Sequence, residues 1–470
     1  MAALQDVIRP GTKRGLDFVV LEELRKRTGI MPNEVLKFAL AEMLCNSLDT
    51  DATMIDVTVE GGYPLTTDLD AINGNFIKLT IRDNGSKRLS KEDVKLILDF
   101  ENKASSKRGF LRVSRGYLGN ALKCIFGYAY ALAVEKDLAP PDIIIESGLN
   151  RYAATLQVDR VKETITSEIK VTERKDAEYT TFIVMLPAYS QLCSPSVLKD
   201  IVFATSLVNP CRQINLNVNG DKYSFGRSEK TEQIRQETSV LWYNQKQFET
   251  LFNDFLRARP ETQLKEFIAL FRGFTGKNVI REILQDFNVS NHDSETNNSV
   301  QFLPATPIRD IPQKRIPQLF SLMKAKAKTV SKRSIASVLG CVGEKAFEQL
   351  RERQGWKRLR YIKIPAFRVE CPSWKCRESA NSMCTDLDHV EFPYLIELAV
   401  FDRQDDSEGL KVYQCVNFMA SMEDIFSRIF NIKYRLGRVG ITEIMPVTVL
   451  LHLVCPVLNW LNYGKSGLDE

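Results

Sequence analysis

At 470 residues the chain is too long for one compact core, and its 44% hydrophobic and 26% charged content excludes a disordered or fibrous protein. A net charge of +5 is a mild excess that identifies no partner by itself. The opening stretch MAALQDVIRPGTKRG has no apolar core behind a basic start, and the longest apolar runs, 124–134 and 447–461, are too short or too interrupted to span a bilayer. Ten cysteines without a secretory signal read as reduced thiols, so the expected location is cytoplasmic, with no membrane partner.

In chain order, residues 33–48 read as a helix, 54–60 and 76–83 as strands, and 90–99 as a short helix. A stretch rich in Gly, Ser, Lys and Arg follows, then a helix from about 119. Strand patterns come at 151–159, 164–172 and 179–186, the last ended by Pro187. Helices interrupting a sheet that closes in an antiparallel meander predict a two-layer α/β sandwich. Residues 195–208 read as a further helix and 212–220 as one more strand. Residues 230–288 turn charged and helical, the pattern of a small helical insert, and 288–300 read as a linker. Mixed character resumes near 301, with strands at 393–401 and 410–418 and no internal repeat. The expected division is 1–225, 226–300 and 301–470, an α+β chain.

The segment AEMLCNSLD (41–49) is mostly apolar, yet Glu42, Asn46 and Asp49 fall on one helix face at i, i+4 and i+7. The strand 76–83 runs into Asp83-Asn84-Gly85, which alone is a turn signal. SRGYLGNALK (114–123) sets Gly116 and Gly119 before a helix, where backbone N–H groups suit phosphate oxygens; alone, such glycines often merely punctuate a loop. YTTFIVMLP (179–187) opens a strand with paired threonines.

In this order and spacing the four elements resemble the GHKL ATPases, the gyrase, Hsp90, MutL and histidine-kinase ATP-binding domains with the Bergerat fold. Glu42 and Asn46 match the E-x-x-x-N helix, Asp83 and Gly85 the D-x-G strand end, Gly116 and Gly119 the glycine box, and Thr181 the threonine strand. The resemblance implies ATP as substrate with Mg²⁺. Glu42 would be the general base for the attacking water, Asn46 a magnesium ligand and Asp83 the acceptor for the adenine amino group. It also implies that Asn120, Ala121 and Lys123 lie at the phosphates, with Asp49 supporting the helix from behind. Histidine kinases lack the glutamate, so Glu42 points to the gyrase, Hsp90 and MutL side. Ala121 stands where many relatives carry a third glycine, and Thr180 where they carry glycine before the threonine.

The box SRGYLG, the passage FATSLVNPCRQINLNVNG (203–220) and the helical stretch LKEFIALFRGFTGK (264–277) resemble topoisomerase VI-B, the ATPase component of that enzyme, including its helix-two-turn-helix domain. PYLIELAVF and VYQCVNF look like strands of that family's transducer domain. LLHLVCPVLNWLNYGKSGL (450–468) resembles the segment delivering a switch lysine to the γ-phosphate, which places Lys465 in that role. The resemblance implies an ATP-dependent homodimer acting as a clamp on duplex DNA, with a separate Toprim-containing cleavage subunit as a further partner. An ATP-dependent scaffold, or a MutL- or Hsp90-like clamp without topoisomerase activity, is the alternative. Members of that family continue into a long helix beyond this lysine, whereas the sequence stops five residues past Lys465. Basic clusters at 314–333 and 351–363 suit phosphate contacts or a solvated face. Cys371, Cys376, Cys384 and His389 offer four zinc-type ligands at a spacing that matches no common finger.

Overall fold

The computed structural model describes residues 15–61, 76–101, 109–115, 120–188, 194–226, 237–289, 301–370, 390–403, 409–426, 431–458, 460, 462 and 465. The first region is a two-layer α/β sandwich. Its strands are β1 (Met54–Glu60), β2 (Phe76–Asp83), β3 (Ile143–Ser147), β4 (Asn150–Asp159), β5 (Thr164–Glu173), β6 (Thr180–Pro187), β7 (Gln213–Val218) and β8 (Asp221–Gly226). They form one sheet in the order β5-β4-β3-β6-β2-β1-β7-β8, in which β1 and β7 run parallel and every other pair antiparallel. Alternation sets the faces: Ile55, Val57 and Val59 of β1 and Ile77, Leu79 and Ile81 of β2 are buried, and the residues between them face outward.

The covering helices are α1 (Leu21–Thr28), α2 (Val35–Leu48), α3 (Lys91–Ile97), α4 (Ala121–Glu135) and α5 (Pro195–Val208). Helix α2 packs on β1 and β2 and is flanked within the helical layer by α4 and α5, which is why it is largely apolar all round rather than amphipathic. Helix α4 crosses the turn Gly15–Phe18 so closely that a Cβ on Gly127 would lie 1.7 Å from the Phe18 carbonyl oxygen. Only glycine fits that crossing.

The expected helical segment is built from α6 (Gln245–Ala258), α7 (Leu264–Ala269) and α8 (Lys277–Val289), continued by α9 (Ile316–Lys326), α10 (Ile335–Leu339) and α11 (Glu344–Arg353). Phe248, Leu251 and Phe252 on α6, and Ile280, Ile283, Leu284 and Phe287 on α8, recur at helical spacing and are buried. The second sheet contains β9 (Arg358–Glu370), β10 (Val390–Asp402), β11 (Lys411–Val416), β12 (Met419–Ala420) and β13 (Val447–Val454), with α12 (Ile432–Arg438) between the last two. Its order is β12-β11-β13-β10-β9, with β11 and β13 parallel and the rest antiparallel. Helices α6 to α11 and this sheet share one apolar core, so packing runs unbroken across the boundary expected near residue 300. Among the described residues no helix is long and apolar enough to cross a membrane. Cys45, Cys124 and Cys415 are buried free thiols.

Candidate functional site

Helix α2 carries two polar residues that its packing does not explain. Glu42 is 5% exposed in the middle of an apolar helix. Asn46, one turn on, is exposed although its neighbours Cys45 and Ser47 are buried. An amide presented from a helix otherwise sealed by protein marks an opening at its C-terminal end. Ser47, next in sequence, donates its hydroxyl to Asp83 Oδ2 at 2.9 Å and ties the helix to the end of β2.

Asp83 occupies the position in β2 where alternation calls for an apolar side chain, and it is 4% exposed. The Gly85 N–H donates to its Oδ1 at 3.0 Å. Burial pushes the Asp83 carboxyl above its ordinary range, and the bonds from Ser47 and Gly85 pull against that. A Cβ on Gly85 would lie 2.7 Å from Thr50 Oγ1 and 2.9 Å from Asp83 Oδ1, so the turn closes only on glycine. Asn84 holds the turn from the other side, accepting from the N–H groups of Thr53 and Met54 at 2.8 and 3.0 Å.

The register of β2 against β6 shows which of the paired threonines shares a face with Asp83. Asp83 pairs with Thr180, and Arg82 pairs with Thr181. Directly paired residues share a face and successive residues alternate, so Thr180 stands beside Asp83 and Thr181 on the other side of the sheet. Thr180 Oγ1 also meets Ser147 Oγ of β3 at 3.0 Å.

Gly116 and Gly119 lie outside the described residues. Ala121 opens α4, and Asn120 precedes it at 2% exposure with neither Oδ1 nor Nδ2 hydrogen-bonded among the described residues. An unpaired buried amide costs about 1–3 kcal/mol, and here it stands at a helix start whose N–H groups also lack helical partners. That pairing of features fits an anionic ligand with acceptor oxygens. Lys123 is 2% exposed and donates to the Asp99 carbonyl, so its ammonium is engaged by the protein.

Across 423 residues of sequence, Lys465 Nζ reaches Glu42 Oε1 at 2.7 Å and also donates to the Arg115 carbonyl at 2.7 Å. The pair is shielded, with side chains 10% and 6% exposed. Arg115 is a hub: its guanidinium contacts Asp49 Oδ1 at 2.8 Å, the Leu48 carbonyl, Asn209 Oδ1 and the Phe418 carbonyl. Asp49 thus acts through Arg115 at the C-terminal end of α2. Ser47 and Asn209 belong to none of the four nucleotide motifs, whereas Arg115 lies in the glycine box and Thr180 in the threonine pair. Which threonine stands beside Asp83 is set by the register of β6 with β2, and the contacts of Ser47, Arg115 and Asn209 exist only in three dimensions.

The four zinc candidates, Cys371, Cys376, Cys384 and His389, lie outside the described residues. Among the described residues no group of three or more His, Cys, Asp or Glu is placed to hold a metal ion. The turn Lys332–Ser334 packs on β9, so members of the two basic clusters lie on adjoining elements, and Lys332, Arg333, Arg358, Arg360 and Lys363 are exposed. Other members are spoken for: Lys326 pairs with Glu282 and Asp286, Arg351 with Glu348, and Arg353 with the Gly226 carbonyl. A separate groove of about 550 Å³ on the outer face of the first sheet, lined by Asp56, Thr80, Arg82, Asn215 and Tyr223, contains none of the motif residues.

No protein-family model and no curated protein matches the chain. Among solved structures it is similar to the gyrase B protein of Myxococcus xanthus, at 8% identity and a TM-score of 0.38, covering 97% of this chain and 90% of that one. It is similar to the ATPase region of Saccharomyces cerevisiae topoisomerase II bound to dexrazoxane, at 10% identity and TM-score 0.35, over 93% and 78% of the two chains. The 43K ATPase domain of Thermus thermophilus gyrase B in complex with an aminocoumarin gives 8% identity and TM-score 0.34, over 96% and 80%. At these scores the likeness identifies no family.

Proposed function

We propose that the chain is the ATP-binding and hydrolysing subunit of a dimeric, ATP-gated clamp of the GHKL class, similar to topoisomerase VI-B and acting on duplex DNA. The observation that carries this reading is the convergence of two separate motif matches, Glu42 with Asn46 and Asp83 with Gly85, tied through Ser47, with Lys465 reaching Glu42 from the far end of the chain. Asp83 retains lone pairs beyond those given to Ser47 and Gly85, enough to accept from an adenine amino group, with Thr180 beside it. Asn120 and the start of α4 hold phosphate oxygens together with Gly116 and Gly119. Asn46 offers a neutral oxygen to magnesium, which when bound neutralises phosphate charge.

Glu42 accepts the proton of the attacking water. In the present geometry its Oε1 is occupied by Lys465, so the base is freed when the ammonium turns to the γ-phosphate. A compact ammonium on a flexible stem suits a partner that comes and goes. The exposed basic residues Lys332, Arg333, Arg358, Arg360 and Lys363, on a turn and strand that pack together, suit the phosphates of duplex DNA. A separate Toprim-containing cleavage subunit is the partner this reading favours, in the cytoplasm. A scaffold, or a MutL- or Hsp90-like clamp without topoisomerase activity, uses the same pocket and differs in partner.

The test is Lys465→Ala, assayed for ATP binding, turnover and ATP-driven dimerisation. Near-normal binding with poor turnover and failed dimerisation is expected. Normal turnover and dimerisation would remove Lys465 from the mechanism.

A further inference from the structure

Outside the pocket lies a chain of buried polar groups whose job is not explained by packing. Glu397 on β10 and His452 on β13 are cross-strand partners at 0% exposure, joined Oε2 to Nδ1 at 2.9 Å. Glu397 also accepts from Tyr361 Oη at 2.8 Å and from the N–H groups of Val342 and Gly343 at 3.0 and 2.9 Å. Burial pushes its carboxyl upward, but the bonds from His452, Val342 and Gly343 outweigh that and hold it below its ordinary range. A carboxylate with four donors around it has no lone pair to spare.

This fixes the imidazole. Nδ1 donates to Glu397, so Nε2 of the neutral ring is an acceptor, and it receives the Phe418 N–H at 3.1 Å. Phe418 and Asn417 form the turn between β11 and β12 with φ of 64° and 48°, two successive non-glycine residues in the left-handed region. Side chains disfavour that region, so each persists only where its surroundings over-determine it. The clamps are visible. Asn417 exchanges bonds with the backbone of Cys455 at 2.8 Å each and donates to the Ser114 carbonyl, and the Phe418 ring stands edge-on to His452 at 4.7 Å.

The turn faces the nucleotide site. The Phe418 carbonyl accepts from Asn209 at 2.9 Å and from Arg115 Nε at 3.3 Å, and Met419 Sδ lies 3.5 Å from Lys465 Nζ. Arg115 in turn offers its own carbonyl to Lys465. An unbroken path therefore runs from Glu397 through His452, the Phe418 peptide and Arg115 to Lys465 and Glu42. An ordinary buried Glu–His pair would stabilise its own sheet. This one ends on the strained peptide that seats the lysine.

We propose that His452, held by Glu397, is a positioning residue for ATP turnover: it fixes the Phe418 peptide and through Arg115 sets where Lys465 stands relative to Glu42. This rests on the reading of Glu42 and Lys465 given above. Two substitutions separate the two hydrogen bonds of the ring. In His452→Gln the amide oxygen reaches the Nε2 position and still accepts from Phe418. In His452→Asn the shorter amide still satisfies Glu397 but does not reach Phe418. Asn417→Asp attacks the same turn from its other clamp, removing the donors to Ser114 and Cys455.

All three are measured beside wild type and Glu42→Ala in steady-state ATP turnover and nucleotide binding, at temperatures where each is folded. His452→Asn and Asn417→Asp are expected to lose roughly 10- to 100-fold in kcat with ATP affinity unchanged, as remote misplacement of a catalytic group does. His452→Gln is expected to recover most of kcat. Wild-type kcat in His452→Asn and Asn417→Asp, while Glu42→Ala is inactive, would overturn the positioning role and leave the function standing. Equal losses in His452→Gln and His452→Asn would also overturn it, since the bond to Phe418 would then not matter. Absence of ATP turnover in wild type would overturn both readings together.

Discussion

Asp83 on the first sheet and Glu397 on the second both stand where strand alternation calls for an apolar side chain, and both are nearly sealed from solvent. Their partners differ. Glu397 is saturated by one histidine, one tyrosine and two backbone N–H groups. Asp83 accepts from Ser47 and Gly85, has its carboxyl raised by burial, and lies next to the end of α2 that presents the exposed amide of Asn46; the buried amide of Asn120 likewise finds no partner among the described residues. A saturated buried polar group holds protein to protein. An incompletely satisfied one is an offer to a ligand, because a hydrogen bond made on binding recovers free energy that the protein alone forgoes.

The contrast is sharpened most strongly at Glu397. Glu397→Ala leaves three elements with buried donors facing nothing, and denaturant unfolding should show a loss of about 3–5 kcal/mol. A loss within about 0.5 kcal/mol, as for a surface change, would break the comparison from the saturated side. Asn120→Leu should behave oppositely. Removing an unpaired buried amide of similar size leaves stability unchanged or raised by about 1–2 kcal/mol, while ATP affinity falls. Destabilisation of the folded chain together with intact ATP affinity would make Asn120 a structural residue.

The smallest effect is a pH dependence at Asp83. Its folded pKa is raised, so the native state binds that proton more tightly than the unfolded chain does. The resulting stability is fully present below the ordinary carboxylate value of about 3.9 and is lost as pH rises through the raised one. Measured against Asp83→Asn, which does not titrate, wild type should lose ground as pH climbs from about 4 toward neutrality. A stability difference independent of pH would contradict the raised value.

Much of the first region was legible because its signals are local. Met54–Glu60 and Phe76–Asp83 alternate cleanly, and Ser90 caps the short helix predicted near it. Glu42 with Asn46, and Asp83 with Gly85, lie within one turn of helix or one turn of chain. Strand β3, IIIES, was not separable by period, since a short unbroken apolar run carries no alternation. Strand β13 was read only as an apolar stretch, because most of its side chains are covered on both faces. The choice between Thr180 and Thr181 needed the register with β2, which sequence does not state. Arg115 was visible within its glycine-box motif, but its partners Asp49, Asn209 and Phe418 are 66, 94 and 303 residues away.

The central claim is that Glu42 is the proton acceptor of an ATP hydrolysis site rather than one half of a buried ion pair. The direct measurement is nucleotide affinity and single-turnover hydrolysis in Glu42→Ala beside wild type. The account predicts ATP binding retained and hydrolysis reduced by about 10²–10⁴, the usual cost of losing a general base. Hydrolysis at the wild-type rate in Glu42→Ala would contradict it.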